Sequence, residues 1–371
     1  VNRQNGQQVV VDADAHVMEP NGFWNEYLED RFRGRGPRFA STDRGLNAFL
    51  IDDQLIAAEA FELARASSTI ASDRPATRHA TIGGRLADMD SEGITAAVLF
   101  PTMGLYLGEV RDPVLLAALC RAYNNWLADE CARGPDRLYG AALLPLSDID
   151  AAITELERVI NLHGARAVMV RPNPANGRPL HHPAYDRLWQ RAAAADVAVA
   201  VHEGWSAGMS TLGSDRFANS AIEHALSHPF EQMAACVGLI LTGVLERHPA
   251  LRVGFLESGG GWVPYLLHRM DEHFEMFPSF MPKITLKPSE YFARQCFVSI
   301  DPGEPNIAAI VEAVGDECIV WATDYPHPDA VFPGAVDALR SGMEGLSAGS
   351  QERILGSNAQ RYFGIKVPVG A

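Results

Sequence analysis

Along this chain, short apolar runs rich in Val, Ile, Leu and Ala alternate with longer stretches of helical period, and turn residues separate the two. The runs are Val9 to Asp12 ("VVVD"), Thr95 to Phe100 ("TAAVLF"), Leu138 to Leu144 ("LYGAALL") and Ala165 to Val170 ("ARAVMV"). Val197 to Val201 ("VAVAV"), Arg252 to Leu256 ("RVGFL"), Phe297 to Ile300 ("FVSI") and Ile319 to Ala322 ("IVWA") complete the eight. Helical stretches open at Asp112, Asp148, Pro183, Pro229 and Glu304, and many close on Gly or on a final-turn cation with Pro, as capping physics favours. Eight apolar strands alternating with helices predict an α/β chain folded as a (β/α)₈ TIM barrel. A long segment with Gly/Arg/Pro punctuation at "GRGPRF" and little periodicity before "RLADMDSEG" separates the first run from the second. The expectation is a single distorted barrel domain over residues 1–371, with about 20–85 inserted over its mouth and a loose tail from Lys366.

Composition narrows the class. The chain has 371 residues, 47% hydrophobic and 21% charged, enough apolar material for a barrel-sized core. Its net charge of −15, with no Lys/Arg cluster to reverse it locally, removes the basic footprint that a nucleic-acid partner requires. The longest uncharged helical run, Gln232 to Leu245, is shorter than the roughly 20 apolar residues that span a bilayer, so no membrane partner is expected. Cys120, Cys131, Cys236, Cys296 and Cys318 form no C-x-x-C pair and read as small buried hydrophobes in a reducing compartment. The opening "VNRQNGQQ" is polar where a signal peptide would be apolar, and a cytoplasmic enzyme is expected.

Barrel active sites lie at the C-terminal ends of the strands, so the residues after each run carry the chemistry. Asp14 and His16 follow the first run, Arg171 the fourth, His202 the fifth, Glu257 the sixth and Asp324 the eighth. Strand alternation lets Asp14 and His16 face inward together, and strands one, five and eight open on the same mouth. Two imidazoles and two carboxylates from Asp14, His16, His202 and Asp324 make a divalent-metal site. Asp12 shares their parity one pleat deeper and reads as a buried hydrogen-bonding group. Trp205 and Tyr325 fall in loops that could wall a pocket, and the absence of G-x-G-x-x-G around Gly259 argues against a dinucleotide site.

The stretches "DADAHVMEP", "MDSEGITAAVLFP", "YNNWLADECARGPDRL", "VAVHEG", "GVLERHPALRVGFLESGGGW" and "WATDYPHPD" occur in the order seen in the amidohydrolase superfamily. The chain resembles its amidohydrolase-related branch, which includes aminocarboxymuconate-semialdehyde and γ-resorcylate decarboxylases. The resemblance implies one Zn²⁺ or Mn²⁺ per chain on Asp14, His16, His202 and Asp324, a small-molecule substrate, and a homodimer or higher homo-oligomer. It implies nonoxidative decarboxylation of a hydroxylated aromatic or enol-type carboxylic acid, with Arg171, Trp205 and Tyr325 against substrate and Asp324 moving the proton. The same ligand set would equally serve hydrolysis of a lactone, amide or carbon-carbon bond, and a noncatalytic binding barrel is a third reading. One departure stands out. Where the branch places a histidine before the strand-six glycines, this chain has Ser258, with Glu257 one step earlier. Glu257, His224, His228 and His327 are the candidates for that histidine's proton-handling part.

Overall fold

The computed structural model describes residues 8–20, 22–41, 47–57, 81–204, 211–217, 219–281, 283–327 and 330–367. At its centre lie β1 (Val11–Val17), β5 (Ala96–Pro101), β6 (Leu138–Leu143), β7 (Ala167–Val170), β8 (Ala198–His202), β9 (Val253–Leu256), β10 (Cys296–Ile300) and β11 (Ile319–Trp321). They pair in that order in one eight-stranded sheet, and every neighbouring pair is parallel. Each predicted run thus becomes a barrel strand. Except for the outer edge of β6, every strand residue is buried, because helices cover the outside while side chains fill the inside.

Helices α1 (Ile82–Glu92), α2 (Pro113–Cys131), α3 (Ile149–His163), α4 (Asp186–Ala194), α5 (Ser220–Leu241), α6 (Trp262–Met276), α7 (Ile307–Val314) and α8 (Ala335–Gly342) follow the strands in turn. Asp112 and Asp148 cap α2 and α3 as their sequence positions predict, each accepting two backbone N–H groups of the first turn. The fifth helix differs from expectation. It begins nine residues before Pro229, with Asn219 accepting from Ala221 and Ile222, and carries Pro229 inside. A capped first turn and a well-packed apolar face outweigh the one hydrogen bond that proline removes. His228 therefore sits within a helix, not at its start.

The segment after β1 holds a second sheet that sequence periodicity did not reveal: β2 (Arg38–Ser41), β3 (Asn47–Ile51) and β4 (Gln54–Ala57), paired antiparallel in that order. Its tight turn is Asp52-Asp53, with φ of 52° and 59°. Such a turn normally uses Asn-Gly or Asp-Gly, so two aspartates gave no hairpin signal.

The ends of the sheet, β1 and β11, are joined at the mouth by backbone bonds. Asp324 N–H donates to the Asp14 carbonyl at 3.0 Å, and His16 N–H to the Tyr325 carbonyl at 2.8 Å. The seam that closes the barrel thus runs through three of the four residues that sequence analysis assigned to a metal, Asp14, His16 and Asp324.

A candidate metal centre at the barrel mouth

The centre begins with an irregularity. Pairing between β1 and β5 shifts register between Asp12 and Ala15, a bulge that sets three residue steps against two. Asp12 therefore faces opposite to Asp14 and His16, and the simple parity expected from the sequence does not hold for it. Its carboxylate accepts from Thr323 N–H at 3.0 Å and from the Thr323 hydroxyl at 2.5 Å, beside Arg85, Asp88 and Met89 of α1. Burial pushes the Asp12 carboxyl up to about 7, against the lowering effect of Thr323.

Asp14 and His16 meet His202 inside the mouth, all three buried. His16 Nδ1 lies 2.8 Å from the Pro101 carbonyl. A carbonyl only accepts, so Nδ1 carries the hydrogen and Nε2 offers a lone pair. His202 Nδ1 likewise meets two acceptors, the Glu203 carbonyl and Glu257 Oε2, the latter at 3.0 Å. The two Nε2 atoms face each other at 3.1 Å. Two lone pairs at that distance repel unless a positive charge lies between them. Asp14 completes the group, with Oδ2 3.2 Å from His202 Nε2 and Oδ1 3.5 Å from His16 Nε2. Asp14 Oδ1 is buried with no hydrogen-bond partner among the described residues.

The electrostatics agree. Burial alone would lower His202, but Asp14 and Glu257 outweigh it and raise that imidazole well above its ordinary range. Burial, with His327 and His202 nearby, holds His16 well below the same range. The cluster draws one positive charge and rejects a second proton. Ligand atoms of Asp14, His16 and His202 lie within 4.8 Å of one another, as do those of His16, Asp324 and His327. Imidazole nitrogen with carboxylate oxygen suits Zn²⁺ or Mn²⁺.

Asp324 follows β11 in the left-handed region, at φ 57°. Its Oδ1 lies 3.2 Å from His16 Nε2 and 2.8 Å from His327 Nδ1, and His327 Nε2 is 3.0 Å from the Thr102 hydroxyl. Across the mouth, Glu257 follows β9 at φ 56°, with Oε1 3.7 Å from His228 Nε2. Burial would raise the Glu257 carboxyl, but His202 and His228 outweigh it and hold it well below the usual carboxylate range. Ser258 turns its hydroxyl onto the Glu257 carbonyl at 2.7 Å, so Glu257 is the side chain that reaches the cluster. Behind His228 the His224 ring lies tilted by 37°, with ring centroids 3.9 Å apart.

The other predicted site residues lie apart. Arg171 is buried and held by Glu203 at 2.6 Å, the Gly204 carbonyl at 2.8 Å, Asn173 at 3.0 Å and the Leu105 carbonyl at 3.2 Å. Tyr325 donates its hydroxyl to Asp88 at 2.6 Å, with its ring against Arg85 and Phe332. Trp205 lies outside the described residues.

Several supporting residues escaped the sequence reading. Glu19 accepts the backbone N–H groups of Thr102, Met103 and Gly104 at 3.3, 2.9 and 2.9 Å, fixing the loop that carries Thr102. Arg85 donates to the His16 carbonyl. Gln232 donates to the Val201 and Leu256 carbonyls at 2.9 and 2.8 Å, pinning α5 to the ends of β8 and β9. Each acts on backbone, which leaves no residue-type signature beyond a polar side chain near a strand end.

The amidohydrolase family profile matches residues 11–365. The 2-amino-3-carboxymuconate-6-semialdehyde decarboxylase of Dictyostelium discoideum is 26% identical over 285 residues, 76% of this chain and 76% of that protein. An amidohydrolase structure from Mycobacterium avium subsp. paratuberculosis K-10 superposes with a TM-score of 0.80 at 22% identity, covering 97% of this chain and 100% of that one. A dihydroxybenzoic acid decarboxylase from Polaromonas sp. JS666, crystallised with manganese and 2-nitroresorcinol, superposes with a TM-score of 0.67 at 20% identity, covering 97% of each chain. At those identities the two structures speak for the fold, while the family match spans nearly the whole chain. The barrel, whose closing seam carries two carboxylates and one imidazole of a cluster that His202 completes from β8, is that of an enzyme belonging to the amidohydrolase family.

Proposed function

We propose that this enzyme releases carbon dioxide without oxidation from a hydroxylated aromatic or enol-type carboxylic acid, with a divalent ion held by Asp14, His16, His202 and Asp324. One observation carries the reading. Asp324 Oδ1 sits 3.2 Å from His16 of the ligand cluster and 2.8 Å from His327, so a single carboxyl adjoins both the chelation site and an independent proton carrier. The decarboxylase relative supports the same reading. When bound, Zn²⁺ or Mn²⁺ supplies a Lewis-acid anchor for a carboxylate and a neighbouring oxygen. Asp324 then gives its proton to the carbon bearing the carboxylate. The bond between that carbon and the carboxylate breaks, its electron pair remains on the carbon, and the carboxylate leaves as carbon dioxide. His327, steadied by Thr102, returns a proton to Asp324. Glu257 fixes the His202 tautomer from behind, as a carboxylate does for a metal-bound histidine. Arg171, paired with Glu203 and bonded to Asn173 and the Leu105 and Gly204 carbonyls, braces the loops after β5 and β8.

The test is elemental analysis joined to a carbon-dioxide release screen over hydroxybenzoates. The expected result is metal-dependent release that disappears, together with the ion of this centre, in His16→Ala and His202→Ala. Retention of that ion in the double variant defeats the ligand assignment. Metal-dependent hydrolysis of lactones with no carbon-dioxide release defeats the reaction while leaving the ligands standing.

A further inference from the structure

Outside the centre described above lies another group of ligand-type side chains. His224 and His228 are four residues apart on α5, a spacing that places both imidazoles on one face of the helix. Gln232 continues the row by four more residues, and its two bonds to the Val201 and Leu256 carbonyls press that face onto the ends of β8 and β9. Glu257 emerges where β9 ends. The fold therefore aims His228 at Glu257, and donor atoms of His224, His228 and Glu257 lie within 4.8 Å of one another.

We propose that His224, His228 and Glu257 form a second divalent-cation site, separate from the one on Asp14, His16, His202 and Asp324. Two features favour an ion over a plain hydrogen-bonded cluster. The side chain of His228 is 6% exposed, and its Nε2 has no hydrogen-bond partner among the described residues. Its separation from Glu257 Oε1 is 3.7 Å, too long for a hydrogen bond. Two donors bound to one ion at about 2.0–2.1 Å stand roughly 3–3.5 Å apart, so this pair needs a shift of only a few tenths of an ångström, and a turn of the less buried His224 side chain brings in the third donor. Hydrogen bonding would have drawn the pair closer, whereas coordination requires about this gap.

Two imidazoles and one carboxylate make a borderline donor set that selects Zn²⁺ or Co²⁺ over Mg²⁺ or Ca²⁺. Three protein ligands leave a coordination position for water or a ligand atom. Glu257 Oε2 meanwhile stays on His202 at 3.0 Å, so one carboxylate would touch both sites, an oxygen toward each. The proposal does not depend on which reaction the enzyme performs.

The test counts ions. The holoprotein is equilibrated with buffered Zn²⁺ and its metal content per chain measured, and a Co²⁺ titration followed by visible absorption reports affinity and geometry. Wild type should hold one ion more than His224→Ala/His228→Ala, while His16→Ala/His202→Ala should lose the first ion and keep the second. His224→Ala alone, at the more exposed of the two imidazoles, should weaken the second equivalent at least tenfold with circular dichroism unchanged, which keeps the test usable if the double variant does not fold. Equal ion content and equal Co²⁺ affinity in wild type and His224→Ala would overturn the proposal. Loss of both ions from folded His16→Ala/His202→Ala would overturn it as well.

Discussion

The two flanks of the barrel mouth repeat one arrangement and finish it differently. On each, a carboxylate just past a strand adopts a left-handed backbone, Asp324 at φ 57° and Glu257 at φ 56°, and reaches a histidine of the central cluster. That backbone region is uncommon for residues other than glycine, so the surroundings must pin it. Beyond each carboxylate stands a further histidine. On the Asp324 flank, His327 closes to 2.8 Å and is itself held by Thr102 at 3.0 Å. On the Glu257 flank, His228 stops at 3.7 Å. The first flank is a chain of close contacts, carboxylate to imidazole at 2.8 Å and imidazole to hydroxyl at 3.0 Å, suited to passing a proton. The second holds its histidine farther off, with His228 Nε2 lacking a hydrogen-bond partner among the described residues. Similar residues at similar positions thus support different chemistry, decided by about an ångström.

The largest expected effect comes from breaking the closed flank. Asp324→Asn keeps shape but cannot exchange the carboxyl proton, and turnover should fall on the order of a hundredfold or more while bound metal is retained. Single-turnover assays with elemental analysis check this, and near-normal turnover would reduce Asp324 to a structural part. Glu257→Gln should act next most strongly, lowering turnover about tenfold or more by loosening His202 while the first ion remains. Full activity in Glu257→Gln, with a metal-retaining His327 variant dead, would place all proton handling on the closed flank.

A smaller effect tests the scaffold beneath that flank. Glu19→Gln replaces an acceptor of three backbone N–H groups with a side chain that sets an NH₂ against a donor. It should cost about 1–3 kcal/mol in denaturant unfolding and loosen the Thr102 contact to His327.

The smallest effect concerns a mouth carboxyl without an imidazole partner. Glu109 is half-buried, its Oε1 has no hydrogen-bond partner among the described residues, and burial pushes it up to about 7 against Arg171 and Arg111. Its contribution to stability is fully present below the ordinary value of 4.5, where the acid is neutral in both folded and unfolded chains. That contribution is lost as pH rises toward 7, because the folded state resists ionisation. The melting temperature of Glu109→Gln relative to wild type should therefore rise between pH 4.5 and 7.5, on the order of 1 °C given the exposure. A pH-independent difference would show that solvent already reaches the carboxyl.

The strand pattern and the residue types after each strand were legible in the amino-acid order, because burial on both faces demands continuous apolar runs and barrel topology sends their C-terminal ends to one mouth. Asp14, His16, His202 and Asp324 were found this way, and the structure brings their side chains into one cluster. The Asp52-Asp53 hairpin, the helical start of α5 and the bulge that turns Asp12 away were not legible. The hairpin turn lacks the usual glycine, Pro229 hides a helix capped at Asn219, and the bulge exists only in the pairing of β1 with β5. The split between the flanks is tertiary as well: Glu257 and His228 lie 29 positions apart, and packing that includes the Gln232 clamp of α5 on two strand ends decides how near they come. Local sequence specifies which donors exist, because side-chain chemistry is local. Tertiary packing sets their separations, and those separations decide between a hydrogen bond and a coordination site.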